Sequence, residues 1–207
     1  MGYTTWFEGK FDLDKPLTDE LYDYLCQFSK TRHLKRNTQT LSKCIPDIKT
    51  HMPPNTNDLG KDSKFFAMDH FEELRYERIG LSSVYPYCID YNSPPDDCPG
   101  LWCDWAPTRD KMGIEWNQTE KFYNYVEWLK WLIVYILEPA GYTLNGSVQY
   151  QGEDESDRGI ITVTNNIVDE QNAYTFISDA IEILGGNPNE RFVLEVMNFI
   201  TDQMGGA

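Results

Sequence analysis

Five of the six tryptophans of this chain lie within residues 101–132. Trp102 and Trp105 come before a predicted strand at 113–116, and Trp128 and Trp131 fall inside the predicted helix that follows it. Indole rings carry a large apolar surface. The segment must therefore be buried by the fold or presented to a partner, and it marks the most specified part of the chain.

The predicted helix after Trp116 is apolar on two faces. Asn117 is a favourable N-cap, and Glu120 three residues later resembles a capping box. One continuous apolar face comprises Phe122, Tyr125, Val126, Leu129, Leu132, Ile133 and Ile136. Trp128, Trp131 and Tyr135 form a second stripe beside it. Either two neighbouring elements bury this helix, or one does and the second stripe binds a partner protein, which is the assignment we make.

The remaining periodicities predict an α+β fold. A first strand at 4–13 precedes a helix that begins at Thr18 or Asp19 and ends near residues 31–36. Further strands are predicted at 85–92, 100–105, 113–116, 142–151 and 159–164. This order predicts a mostly antiparallel sheet with two helices on one face, built by a core domain of residues 1–168.

Two segments differ from this core. Residues 37–88 begin with a polar, proline-containing stretch without sustained periodicity, so we interpret them as an irregular or variable insertion. Residues 169–207 are predicted to form a C-terminal αα-hairpin, because two helical patterns at 174–184 and 191–204 flank a Gly-Gly-Asn-Pro break. The hairpin either binds a partner or covers the open face of the sheet.

The net charge of −15 is unevenly distributed. Residues 1–80 hold 12 basic and 13 acidic side chains, net −1, whereas residues 81–207 hold 6 and 20, net −14. The acidic part would repel a nucleic-acid backbone, so direct nucleic-acid binding is not expected. It could suit a basic protein partner or mimic a polyanion, although acidic surfaces mostly serve to keep a protein soluble.

Cysteines and hydropathy indicate a cytoplasmic protein without a cofactor. The cysteine count of five is odd, and the amino terminus lacks the features of a signal peptide, so we expect reduced thiols. Cys98 and Cys103 have no second pair and no nearby histidine, which argues against structural zinc. The apolar run at 131–137 is far shorter than the roughly 20 residues of a membrane span, so no membrane association is expected.

A basic cluster at the end of the first helix is a candidate anion site. Arg32 and Arg36 lie four residues apart beside Lys35, so they could share a helical face and grip a phosphate. Trp102, Trp105 and Trp116 are candidates for stacking a base. Asn92 and Gln151 are candidates for recognising the edge of that base. The alternative is that the positive charges only stabilise the helix terminus.

Catalytic motifs are missing from the sequence. No histidine has metal-binding spacing, and there is no nucleophile elbow, P-loop or dinucleotide fingerprint. Asp104 and Glu115 flank the tryptophans and are the candidate acid–base pair. Glu153, Asp154, Glu155 and Asp157 could hold a hard cation, or simply form a solvated turn. We therefore predict no catalytic and no metal-binding residues.

Several long blocks resemble a family of small uncharacterised proteins of tailed phages and of bacteria that carry phage-like genes. The blocks are IDYNSPP (89–95), GLWCDWAPT (100–108), IEW (114–116), EKFYNYVEWLKWLI (120–133) and GYTLNGSVQYQGED (141–154). The opening GYTTWFEGKF and TRHLKR (31–36) also resemble it, whereas residues 37–88 and the C-terminal hairpin depart from it. The resemblance implies a phage-type protein acting in host cytosol on host machinery or defence, and it implies no catalytic residues.

Three functional hypotheses follow. The first is a non-catalytic, phage-type accessory module that binds or inhibits a host factor or a defence protein. The second is a protein that binds or sequesters a nucleotide or another phosphate-bearing ligand. The third is a carboxylate-dependent hydrolase. The sequence leaves the partner, the ligand and the oligomeric state open.

Overall fold

The computed structural model describes residues 2–45, 47–77, 86–154 and 156–172. Two antiparallel sheets and four α-helices are present in these ranges, with two short 3-10 turns at 48–51 and 61–63. The strands are β1 (Thr5–Leu13), β2 (Lys35–Arg36), β3 (Cys88–Asp90), β4 (Trp105–Pro107), β5 (Gly113–Trp116), β6 (Leu144–Gly152), β7 (Arg158–Thr164) and β8 (Ile167–Asn172). The helices are α1 (Asp19–Phe28), α2 (Thr38–Cys44), α3 (His70–Glu77) and α4 (Tyr125–Leu132).

The main sheet has six strands in the order β4-β5-β1-β6-β7-β8, and every neighbouring pair is antiparallel. The long central pair β1–β6 runs in register from Thr5 opposite Gly152 to Leu13 opposite Leu144. β2 and β3 form a separate two-stranded sheet. The predicted α+β class with a mostly antiparallel sheet is confirmed, and the predicted C-terminal αα-hairpin lies outside the described residues.

Helix α1 begins where the sequence predicts it but ends at Phe28, before the predicted end near residues 31–36, and Lys35–Arg36 form strand β2 instead. The Thr18 side chain accepts a hydrogen bond from the backbone N–H of Leu21 and so caps the first turn. Its predicted apolar face is buried, with Tyr24, Leu25 and Phe28 all nearly inaccessible to solvent. The end of α1 therefore lies firmly against the sheet, next to the short edge strand β4.

Helix α4 begins later than its predicted capping box. Gln118, Lys121 and Asn124 all have positive φ, so residues 117–124 form an irregular connection and α4 starts at Tyr125. Asn117 does not cap α4, because its side chain accepts from Thr119 N–H and donates to Asp104. This irregular connection, rather than a first helical turn, forms one wall of a surface groove.

The segment at 37–77 forms a second, small hydrophobic cluster with two flanking residues, Leu34 and Tyr87. Its members are Leu34, Leu41, Ile45, Met52, Leu59, Phe66, Met68 and Tyr87. Beside this cluster, Arg36 and Glu73 form a buried ion pair with Nε–Oε1 and Nη2–Oε2 distances of 2.8 and 2.6 Å. Within the described residues, no helix is long and apolar enough to cross a membrane.

Candidate functional site

The tryptophan stripe predicted to bind a partner is mostly buried. Trp128 and Trp131 are 0% and 4% exposed, so the prediction that they form an exposed surface is wrong. Helix α4 has neighbours on both faces, and Trp131 stacks on Phe28 with ring centroids 5.3 Å apart and an interplanar angle of 18°. Only Tyr135 remains partly exposed, and the Lys64 ammonium lies 4.1 Å from the centroid of its ring.

Trp105, predicted to stack a ligand base, is also in the core. It is 1% exposed, and its indole N–H donates to the Tyr125 carbonyl at 2.8 Å. Strand alternation explains this position, because Trp105 shares the inward face of the sheet with Phe11, whose ring centroid lies 5.5 Å away. Trp105 therefore supports the fold and cannot contact a ligand.

The predicted anion cluster does not assemble. Arg36 is 1% exposed, and the Glu73 carboxylate together with the Leu34 and Arg32 carbonyls accepts its hydrogen bonds. Lys35 pairs with Asp96, which also pairs with Lys61. Since neither cation is free to bind a phosphate, the assignment of Arg36 and Lys35 to a shared ligand site is wrong.

Arg32, by contrast, lies at the surface between two aromatic rings. Its guanidinium carbon is 4.4 Å from the Tyr91 ring centroid and 5.6 Å from that of Trp102, and its Nε donates to the Tyr91 carbonyl. Trp102 meets His70 edge-on at 5.4 Å, and His70 lies 6.0 Å from Phe71. We call this continuous row of Tyr91, Arg32, Trp102, His70 and Phe71 the aromatic ridge.

A groove of about 1,020 Å³ runs beside the aromatic ridge. Its walls come from the end of α1, the start of α3, the residues before and within β4, and the irregular connection that precedes α4. The lining residues are Cys26, Ser29, Lys30, Asp69, His70, Phe71, Trp102, Asp104, Ala106, Asn117, Thr119, Glu120, Lys121 and Tyr123. Phe71 and Tyr123 are 76% and 52% exposed, so two large and mostly exposed rings line the groove.

Asp104 lies deep in this groove. The residue is 2% exposed, and its Oδ1 accepts a hydrogen bond of 3.3 Å from the Asn117 side chain. Burial raises the pKa of this carboxyl to about 6. A carboxyl that titrates near neutral pH within a cleft is a recognised sign of a functional site.

His70 adds a second perturbed group to the groove. Its Nδ1 atom is buried and has no hydrogen-bond partner in the described part of the chain. Burial lowers its pKa from the usual value, so the ring is neutral at physiological pH. His33 lies elsewhere, buried between Phe28 and Trp128, and burial lowers its pKa to about 3.

A second, smaller depression of about 480 Å³ lies on the main sheet. Trp116 and Gln151, both predicted to bind a ligand, line it together with the half-exposed Trp6. Gln151 lies directly between Trp6 on β1 and Arg158 on β7. Asn92 lies on the turn after β3 and lines neither concavity. Of the residues predicted to bind a ligand, Trp102 therefore lines the groove, and Trp116 and Gln151 line the depression on the sheet.

The proposed catalytic and cation-binding carboxylates do not converge. Glu115 is exposed opposite Ala106 and does not line the groove that holds Asp104. In the acidic loop, Asp154 accepts from Ser156, Asp157 from the Tyr3 hydroxyl and Glu153 from Thr4 N–H; Glu155 lies outside the described residues. Across the described ranges, no cluster of three or more His, Cys, Asp or Glu side chains could hold a metal ion.

Sequence reasoning missed several groove residues. Phe71 and Tyr123 are not among the predicted site residues, and Asn117 is predicted as an N-cap instead. The available signal was the DHF tripeptide at 69–71, which places a histidine and a phenylalanine side by side where both cannot face the core.

No family model, curated protein or solved structure matches this chain.

Proposed function

We propose that this protein is a non-catalytic accessory module that binds another protein through the aromatic ridge and the groove beside it. The phage-type resemblance supports a host factor or a defence protein in the host cytosol as the partner. The observation that carries this proposal is the row of ring contacts from Tyr91 to Phe71, in which Trp102 and the exposed Phe71 line the groove and Arg32 lies against Trp102.

The composition of the aromatic ridge favours protein recognition. Tryptophan, tyrosine and arginine are the residues most enriched at the energetic centres of protein interfaces. Phe71 and Tyr123 line the same groove with mostly exposed rings, so both rings are accessible to a partner. Trp102 and Arg32 are already held in place by ring contacts, so binding costs little side-chain entropy.

The test is a quantitative co-purification from bacterial lysate with four variants. Phe71→Ala and Tyr123→Ala each remove an exposed ring from the groove, whereas Ile167→Ala and Val134→Ala remove exposed apolar side chains elsewhere. We expect one protein to be retained by the wild type and both control variants and to be lost from both groove variants. Equal retention by all four variants would contradict the proposal.

The depression on the sheet favours a second candidate function, the binding of a small nucleotide-like ligand. Trp6 and Trp116 offer rings for stacking, and Gln149 and Gln151 offer amides beside them. A ligand that binds only the folded state raises the melting temperature. A nucleotide and cyclic-dinucleotide screen should therefore show a shift that Trp6→Ala abolishes; no shift with any nucleotide would eliminate this candidate.

A further inference from the structure

Asp104 differs from every other charged side chain that lines the groove. It is 2% exposed, whereas Lys30, Glu120 and Lys121 are exposed at the rim and Asp69 is partly exposed. The deep part of the groove therefore holds one carboxyl and, among the described lining residues, no lysine or arginine side chain. Any group that enters the groove fully meets the Asp104 carboxyl rather than the rim charges.

The Asp104 carboxylate has few hydrogen-bond donors. Within the described ranges, the Asn117 amide is its one side-chain donor, at a distance of 3.3 Å that is long for such a bond. A buried carboxylate without a positive partner costs free energy. The raised pKa of about 6 reports this cost and also shows that Asp104 is mostly ionised at pH 7.

The walls around Asp104 suit a cation. Trp102, His70, Phe71 and Tyr123 present aromatic rings to the groove, and the His70 ring is neutral at pH 7 because burial lowers its pKa. Aromatic faces attract ammonium and guanidinium groups, and more strongly when water is excluded. An anion would instead meet an unscreened carboxylate, and an uncharged apolar group would leave Asp104 without a partner.

We propose that the groove receives a lysine or arginine side chain from a basic segment of the protein partner, with Asp104 as its counter-ion. The inference rests on the proposed function and specifies the chemistry of the partner. The net charge of −15 is complementary to a basic segment and favours its approach.

Binding should strengthen between pH 5 and pH 7, as Asp104 ionises. The titratable and charged groups that face Asp104 across the groove are Cys26 and Lys30 of α1, Asp69 and His70 at the start of α3, and Glu120 and Lys121 before α4. Burial lowers the pKa of His70, and protonation of this ring at acidic pH would also weaken binding, because an imidazolium repels the incoming cation. A variant that lacks only the Asp104 charge separates the two contributions.

The experiment titrates the full chain at pH 7 with three indole probes, followed by NMR. Tryptamine carries an ammonium group, indole-3-ethanol is uncharged, and indole-3-acetate is anionic. We expect tryptamine to bind about tenfold or more tightly than indole-3-ethanol, and indole-3-acetate to bind weakest. Asp104→Asn should abolish the preference, whereas Glu115→Gln, which removes an exposed charge that does not line the groove, should retain it.

A second measurement needs no variant. The carboxyl carbon of Asp104 is followed through a pH titration with and without tryptamine, and the cation should lower its pKa. The inference is overturned by equal affinities for tryptamine and indole-3-ethanol, by no binding of any probe at millimolar concentration, or by an unchanged Asp104 pKa. If the probes fail this test but Phe71→Ala still loses the partner, the cation is rejected and the proposed function stands. If the groove prefers the amine but no partner depends on the aromatic ridge, the proposed function alone is rejected.

Discussion

The buried helix α4 and the aromatic ridge draw on the same tryptophan-rich segment, yet they use its rings in opposite ways. Trp128 and Trp131 are buried against Phe28 of α1, whereas Trp102, which precedes β4, contacts Arg32 and His70 beside an open groove. Aromatic density is therefore no guide to which rings are exposed. The position of each ring on its element, and what packs against that element, decides its exposure.

Arg32 and Arg36 repeat this contrast with charge. Only four residues apart, one lies between two aromatic rings at the surface and the other is sealed in an ion pair with Glu73. The end of α1 at Phe28 separates them from a common helical face, because residue 32 lies in an irregular connection and residue 36 lies in β2. Mutations of these tryptophans and arginines should therefore fall into two groups, those that reduce stability and those that reduce partner binding.

Trp128→Ala should have the largest effect on stability. The ring is fully buried and contacts Phe28, His33 and Trp131, so its removal leaves a cavity in the core. We expect a loss of about 3–5 kcal/mol in the free energy of unfolding, measured by urea denaturation. Trp128→Phe is the matched control and should cost less, since a ring is retained. A loss below about 1 kcal/mol for Trp128→Ala would place this ring outside the core.

Arg36→Ala should be the next most damaging change. It leaves the Glu73 carboxylate buried without its partner, which costs about 3 kcal/mol. The double variant Arg36→Met with Glu73→Leu should recover much of this loss, because it buries no charge. Arg32→Ala is the control, and we expect it to cost about 1 kcal/mol or less, since its ring contacts are at the surface. Equal losses for the two arginines would erase the contrast between them.

Asp104→Asn should stabilise the protein at pH 7.5. The folded-state pKa of Asp104 lies above the ordinary value of 3.8, so the folded state binds more protons between pH 4 and pH 6. Stability is therefore expected to fall as pH rises through that range, by on the order of 2 kcal/mol, and to level off above it. Asparagine carries no charge and should remove this decline.

The pH measurement must be made as a difference between the wild type and Asp104→Asn. His33 has a folded-state pKa lowered to about 3, so its contribution to stability is lost as pH falls below its ordinary value of 6.5. The two slopes oppose one another between pH 4 and pH 6. Subtracting the variant's curve isolates Asp104, and a flat difference would show that burial does not perturb this carboxyl.

Phe71→Ala should have the smallest effect on stability. The ring is 76% exposed, so its loss is expected to change the free energy of unfolding by less than about 0.5 kcal/mol. The same change should abolish partner retention. A large loss of stability would show instead that Phe71 is part of the core.

Much of the fold could be predicted from local pattern. Periodicity and turn residues account for the buried face of α1, the hairpin β6–β7 and the antiparallel sheet. The stripe of Trp128 and Trp131 was misassigned because periodicity shows that a face is apolar and does not show how many neighbours it has. The groove depends on Asp104, Asn117 and His70 meeting across separate elements, and such long-range convergence leaves no periodic signal in one sequence.

The most direct test of the account is photo-crosslinking from two positions on opposite sides of this comparison. A photoreactive phenylalanine analogue at position 71 reports the groove, and the same analogue at position 134 reports the exposed side of the π-helical segment (Ile133–Leu137) that continues α4. We expect the analogue at position 71 to form one discrete adduct in bacterial lysate and the analogue at position 134 to form none. Asp104→Asn should abolish the adduct at position 71 if a lysine or arginine side chain of the partner enters the groove. Crosslinking of the same protein from position 134 but not from position 71 would contradict the account, because recognition would then belong to the helix.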